Sequence, residues 1–115
     1  MAAQKIEKPE WQAFFDTLSK GLVGVRAEIE VASLALGDQI VAEWLPLLGI
    51  TYDPKGDLLE IALDGLDHMI RKPREVYADS GNGALLSFEI IDADGVSQII
   101  LLRKPLMLAP PTATG

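Results

Sequence analysis

The segment covering residues 67–75, DHMIRKPRE, holds the side chains best suited to binding or proton transfer. It contains the only histidine of the chain, His68, and three of its ten lysines and arginines, Arg71, Lys72 and Arg74. Guanidinium groups match the geometry of phosphate and carboxylate, and imidazole changes its charge near neutral pH. The segment therefore predicts a small-anion site in which these four residues bind the ligand.

The same segment has a second interpretation, in which the three cations pair with neighbouring carboxylates. Four acidic residues lie close by in the sequence: Asp64, Asp67, Glu75 and Asp79. Pro73 also shapes the backbone, because a proline pushes the residue before it toward an extended conformation. In this interpretation, which the local charge balance favours, residues 67–75 form a structural junction between two strands.

Patterns for catalysis and metal binding are weak elsewhere. The chain has no cysteine, which excludes disulfides, thiolate zinc sites and cysteine nucleophiles. No G-x-S-x-G motif is present. The D-x-x-D-H pattern ending at His68 matches no metal signature, and three cations follow it. Residues 92–95, DADG, lack the later glutamate of a calcium loop and predict a hairpin turn. We predict no catalytic residue, no metal and no cofactor.

Charge and length bound the class of protein. The chain has 115 residues, 17 acidic against 10 basic, and a net charge of −7, which argues against a nucleic-acid partner. The polar N-terminus has no signal-peptide core, and no apolar run approaches the ~20 residues needed to cross a bilayer. We expect a cytoplasmic domain with no membrane partner.

The periodicity of apolar residues predicts one helix followed by strands. Pro9 suits the first turn of a helix, and Trp11, Phe14, Phe15 and Leu18 then form one apolar face. From residue 23 to 31 the period changes to two, which is typical of a strand. Further strands are predicted at residues 39–44, 47–52, 58–63, 75–79, 84–91 and 96–103. Residues 66–74 fit a strand, a turn or a short helix.

Short strands joined by tight turns favour an antiparallel meander. We predict an α+β fold, with one N-terminal helix packed on a six- or seven-stranded, mainly antiparallel curved sheet or small open barrel. The expected organisation is a loose leader at residues 1–8, a single domain at 9–105 and a partly disordered tail at 106–115.

Several strands carry apolar residues on both faces, as in the run from residue 99 to 102. A sheet with one solvated face would alternate more cleanly. Barrel closure and a homo-oligomer are two ways to cover the second face, and both stay open. The residues predicted for a self-association interface are Trp44, Leu45, Leu47, Leu48, Ile50, Ile100 and Leu102.

Four motifs together carry a family resemblance: EWQAFFDTLSK, LPLLGITYDPKGDLLEIAL, DHMIRKP and DADG. Over residues 9–105 the chain resembles a small bacterial family that is known only as a domain of unknown function. The resemblance places His68 and Pro73 in a shared motif and implies no activity. A looser analogy, of fold alone, is to Sm-like proteins, which form rings.

Three functions follow from these observations. The first is a noncatalytic binding or interaction module that self-associates. The second is a small-anion binder, or an enzyme, centred on His68 with Arg71, Lys72 and Arg74. The third is RNA binding by an Sm-like ring, which the acidic composition disfavours.

Overall fold

A computed structural model describes residues 4–79 and 85–103 of the chain. A 3₁₀ turn (Lys8–Glu10) precedes the single helix of this part, α1 (Trp11–Ser19). The strands are β1 (Gln4–Ile6), β2 (Arg26–Ser33), β3 (Gly37–Asp53), β4 (Leu58–Leu63), β5 (Leu66–Arg71), β6 (Pro73–Asp79), β7 (Leu85–Asp92) and β8 (Ser97–Arg103).

The strands of the described chain form one antiparallel sheet in the order β1-β6-β7-β8-β2-β3-β4-β5. The predicted combination of one helix with an antiparallel sheet is confirmed. The sheet has eight strands in this part of the chain, more than the six or seven predicted. The added strands are β1, from the expected leader, and β5, from the segment whose assignment was open, while the strands predicted at residues 39–44 and 47–52 form the single strand β3. The sheet is also not closed into a barrel.

The longest strand, β3, belongs to both halves of the sheet. Its first part pairs with β2, and its second part pairs with β4 from Leu47 onward. Near this change of partner Trp44 adopts a positive φ of 52°. The register with β2 shifts across residues 40–45, and the register with β4 shifts between Leu47 and Gly49. Pro46, where the sequence predicts an interruption with a bend or an edge, lies beside this bend within β3, where a missing N–H is tolerated.

A second bend joins β5 to β6 at Lys72, whose φ is 53°. The extended conformation predicted for Lys72 is therefore wrong. Two hydrogen bonds hold the bend: the Lys72 N–H donates to the Asp57 carbonyl at 2.8 Å, and the Ala93 N–H donates to the Lys72 carbonyl at 2.9 Å. Through these two bends the sheet curls, so that side chains of β5 reach β8.

Helix α1 packs into the interior of the curled sheet. Trp11 and Phe15 are buried; their rings meet Tyr52 and Phe88 edge-on, with centroids 5.1 and 5.8 Å apart. The Ser19 hydroxyl fixes the end of the helix, accepting from the Ile50 N–H at 3.0 Å and donating to its carbonyl at 2.9 Å. The apolar face predicted from the sequence is thus the face that fills the core.

Part of the segment expected to be a loose leader is ordered against this core. Residues 4–6 form β1, which pairs with β6, and Ile6 is buried. The Trp11 indole N–H donates to the Ile6 carbonyl at 2.8 Å, which ties the strand to the helix. The predicted tail at residues 106–115 lies outside the described residues.

Replacing Phe15 with alanine should lower the free energy of unfolding by about 3–5 kcal/mol, because a buried ring is lost and a cavity remains. Urea denaturation measures this change. Asp16→Ala, at the neighbouring exposed position, is the matched control and should change it by less than about 0.5 kcal/mol. Equal effects of the two substitutions would contradict the placement of the helix.

Candidate functional site

The structure places His68 as a bridge inside the curled sheet. Its side chain shares the inward face of β5 with Ile70, and its Nε2 lies 2.5 Å from Oε1 of Gln98 on β8. Three strands separate β5 from β8 in the sheet, so this hydrogen bond joins distant parts of it. Because an amide oxygen only accepts, Nε2 carries the proton. Gln98 is 7% exposed, so each side chain satisfies a polar group that would otherwise be costly to bury.

The three cations of the same segment are exposed to solvent and make no contact in this bridge. Arg71 lies on the outward face of β5, and Lys72 and Arg74 are exposed. Within the described residues, none of the three lies within 4.0 Å of a carboxylate oxygen of Asp64, Asp67 or Glu75. The structure therefore does not gather His68 and Arg71 on one face, and the predicted local ion pairs with these three acids are absent.

The residues predicted for an interface divide into two groups. Four of them are buried in the core of this chain: Leu47, Ile50, Ile100 and Leu102. Leu48 is exposed, while Trp44 and Leu45 are half-buried. Trp44 stacks against Arg103, whose Cζ lies 3.9 Å from the ring centroid. Curling of the sheet thus covers much of the apolar surface that suggested an oligomer.

A different apolar surface is open to solvent, along the first part of β3. Residues 37–45 pair with β2 on one side, and their other side has no strand partner in the described chain. The exposed apolar side chains along this edge and the adjoining turn are Leu34, Leu36, Ile40 and Val41. The sequence predicts strands at residues 23–31 and 39–44 but not the unpaired side of the second, because that side depends on where β4 begins to pair.

A cleft lies between the 3₁₀ turn and the turn that joins β3 to β4. Its volume is about 490 Å³, and its lining residues are Lys8, Pro9, Gln12, Tyr52, Pro54 and Asp57. The Tyr52 hydroxyl donates to Oδ1 of Asp57 at 2.7 Å, and the Lys8 ammonium lies 3.4 Å from the same oxygen. Lys8 Nζ is also 5.5 Å from the centroid of the Trp11 ring.

The backbone at Asp57 is in the left-handed region, with φ of 51°. Glycine adopts this conformation at least cost, yet the glycine of the turn is Gly56, whose φ is not positive. Asp57 instead takes the strained position, where its carboxylate contacts Tyr52 and Lys8. Burial, and then the hydrogen bond to Asp57, raise the pKa of Tyr52 to about 12, so the phenol remains a donor at neutral pH.

Residues 4–79 and 85–103 contain no group of three or more metal-ligating side chains. They also contain no helix with the length and apolar character required to cross a membrane.

Comparison with known proteins places the chain among proteins without an assigned role. The model of a family of unknown function, DUF5335, matches residues 2–111. An uncharacterised protein of Aquifex aeolicus is 38% identical over 109 residues, which cover 94% of this chain and 98% of that protein. No solved structure matches. The family resemblance predicted from the motifs is confirmed.

In a Tyr77→Phe background, where Tyr52 is the only tyrosine, its phenol should ionise near pH 12 instead of the usual 10. The folded-state pKa is raised, so the stability that the buried phenol adds is present below about pH 10 and is lost as the pH rises toward about 12. Phenolate absorbance follows the titration, and the Tyr52→Phe double variant is the control. A midpoint near 10 in the folded protein would contradict the buried hydrogen bond.

Replacing Gln98 with leucine should lower the free energy of unfolding by about 1–3 kcal/mol, because the imidazole N–H of His68 loses its acceptor. His68→Leu should do the same to the Gln98 amide, whereas the double variant should regain part of the loss. A double-mutant cycle by urea denaturation measures the coupling, with the exposed Asp67→Ala as control. Strictly additive effects would argue against the bridge.

Proposed function

Because this chain belongs to DUF5335, a family of unknown function, we propose a role from its own structure: a noncatalytic interaction module that self-associates through the free edge of β3. The observation that carries the proposal is the unpaired edge at residues 37–45 together with its exposed apolar side chains. Edge strands present unpaired N–H and C=O groups to other chains, and apolar side chains beside them add to the attraction.

The character of this edge supports its use in pairing. Edge strands of sheets that do not associate are commonly protected from pairing with another chain by lysine, proline or an inward-pointing charge. The centre of this one carries Ile40 and Val41, which are 57% and 41% exposed, and has no lysine or proline before Pro46. Asp38 and Glu43 flank the apolar pair and keep it soluble until it is covered.

A second copy of the chain fits the edge by symmetry. Two antiparallel copies related by a two-fold axis normal to the sheet place one residue opposite its own equivalent. With Ile40 on the axis, Asp38 faces Ala42 of the second copy; with Val41 on the axis, Asp38 faces Trp44 of the second copy. Neither register sets Asp38 against Glu43, so the acids beside the apolar centre do not oppose each other.

The other functions predicted from the sequence have less support. Arg71, Lys72 and Arg74 are exposed and accessible to an anion, but His68 faces inward to Gln98. RNA binding by an Sm-like ring is opposed by the net charge of −7. Both stay predictions, as does the cytoplasmic location.

We expect light scattering coupled to size-exclusion chromatography to show a dimer at micromolar concentration. Ile40→Lys should weaken dimerisation at least about tenfold, because an ammonium replaces an apolar side chain at the paired edge. Met69→Lys on β5, an exposed apolar residue on the terminal strand of the sheet and outside residues 37–45, is the matched control and should leave the dimer intact. Circular dichroism confirms that each variant is folded.

A wild-type chain that stays monomeric up to about 100 μM would overturn the proposal, since a stable specific interface binds more tightly. Equal weakening by both lysine substitutions would also overturn it, because the association would then depend on general surface hydrophobicity instead of this edge.

A further inference from the structure

We propose that the cleft beside the 3₁₀ turn is a binding site for a linear alkylammonium ligand, such as a free diamine, whose place the side chain of Lys8 occupies in this structure. The cleft volume of about 490 Å³ lies within the range of small-molecule sites. The described residues that line this cleft belong to α1, the 3₁₀ turn, the end of β3 and the β3–β4 turn, and none of them lies in the free edge at residues 37–45.

The anionic side of the cleft is fixed in place. The Tyr52 hydroxyl holds Oδ1 of Asp57 at 2.7 Å, and Tyr52 itself is almost fully buried. The Asp57 carbonyl accepts the Lys72 N–H at 2.8 Å, which fixes the backbone in its left-handed conformation. Strained non-glycine residues of this kind cluster at binding sites, where the conformation positions a side chain. Here it positions a carboxylate at the wall of the cleft.

The cationic group now in the cleft is loosely held. Lys8 Nζ lies 3.4 Å from Asp57 Oδ1, longer than a good hydrogen bond, and the side chain is 54% exposed. Exposed ion pairs of this type contribute little free energy, so the lysine can leave at small cost. The same ammonium lies 5.5 Å from the Trp11 ring centroid, within the range of a cation–π interaction. A carboxylate and an aromatic ring therefore already contact an ammonium here.

The remaining walls suit a short alkyl chain. Pro9 and Pro54 present apolar ring faces for methylene groups, and the Gln12 amide oxygen is an acceptor for a second ammonium. The net charge of −7 attracts cations to the surface in general. An anion fits poorly, because among the described residues that line the cleft Lys8 is the only cation, and it already faces Asp57.

Isothermal titration calorimetry with 1,5-diaminopentane tests the site. Lys8→Ala removes the internal competitor, so it should bind the diamine about fivefold or more tightly than the wild type. Adding Asp57→Asn to Lys8→Ala should abolish binding, although the amide oxygen still accepts from Tyr52. Adding Asp94→Asn to Lys8→Ala is the control: it makes the same charge change in the exposed β7–β8 turn and should leave binding unchanged.

The two tryptophans give a local readout of the same titration. In an NMR spectrum of Lys8→Ala, the indole signal of Trp11 should shift with added diamine, while that of Trp44 should not. Absence of binding by Lys8→Ala, or equal binding after Asp57→Asn, would overturn the proposal. The Ile40→Lys variant should bind as its parent does, which separates this site from self-association.

Discussion

The bend of β3 at Trp44 is the feature on which the rest of the fold depends. Pairing with β2 continues through the bend to Pro46, pairing with β4 begins at Leu47, and the two halves of the sheet enclose a common core. Two interactions hold it: the Arg26 guanidinium donates to the Trp44 carbonyl at 2.9 Å, and Arg103 stacks on the Trp44 ring. A non-glycine residue with positive φ is strained, and these contacts offset that strain.

The bend at Lys72 completes the curl, and it separates the inward and the exposed side chains of residues 67–75. On β5, before the bend, the His68 side chain faces inward and forms a hydrogen bond across the interior with Gln98. The outward positions and the corner are exposed, where Arg71 and Lys72 remain solvated. Residues that are adjacent in the sequence are therefore divided between the interior and the solvent, which is consistent with a junction between strands.

Both proposed sites belong to β3, near its two ends. The first part of the strand is left with a free edge because β4 pairs only after the bend. The last part carries Tyr52, which lies over Trp11 of the helix and holds Asp57 at the cleft. One end of β3 thus has backbone groups without a strand partner in the described chain, and the other end contributes Tyr52 to the wall of a polar cleft.

The sequence by itself determined the local elements. Residues close together in the sequence determine the apolar face of α1, the alternation in β2 and the turn at Asp92. In that turn the Asp92 carboxylate accepts the N–H groups of Asp94 and Val96. The family also followed from motifs that are each local in the chain. Periodicity and turn chemistry report such short-range preferences directly.

Only the tertiary structure decided that the sheet curls on itself, which edge stays open and which side chains meet across the interior. Periodicity gave no sign of the positive φ at Trp44, or of the contact between Lys8 and Asp57. These features depend on packing between residues that are distant in sequence, and such packing overrides local preference. For the same reason four residues predicted for an interface, Leu47, Ile50, Ile100 and Leu102, lie inside the core: the curl of the sheet buries side chains that a flat sheet would leave exposed.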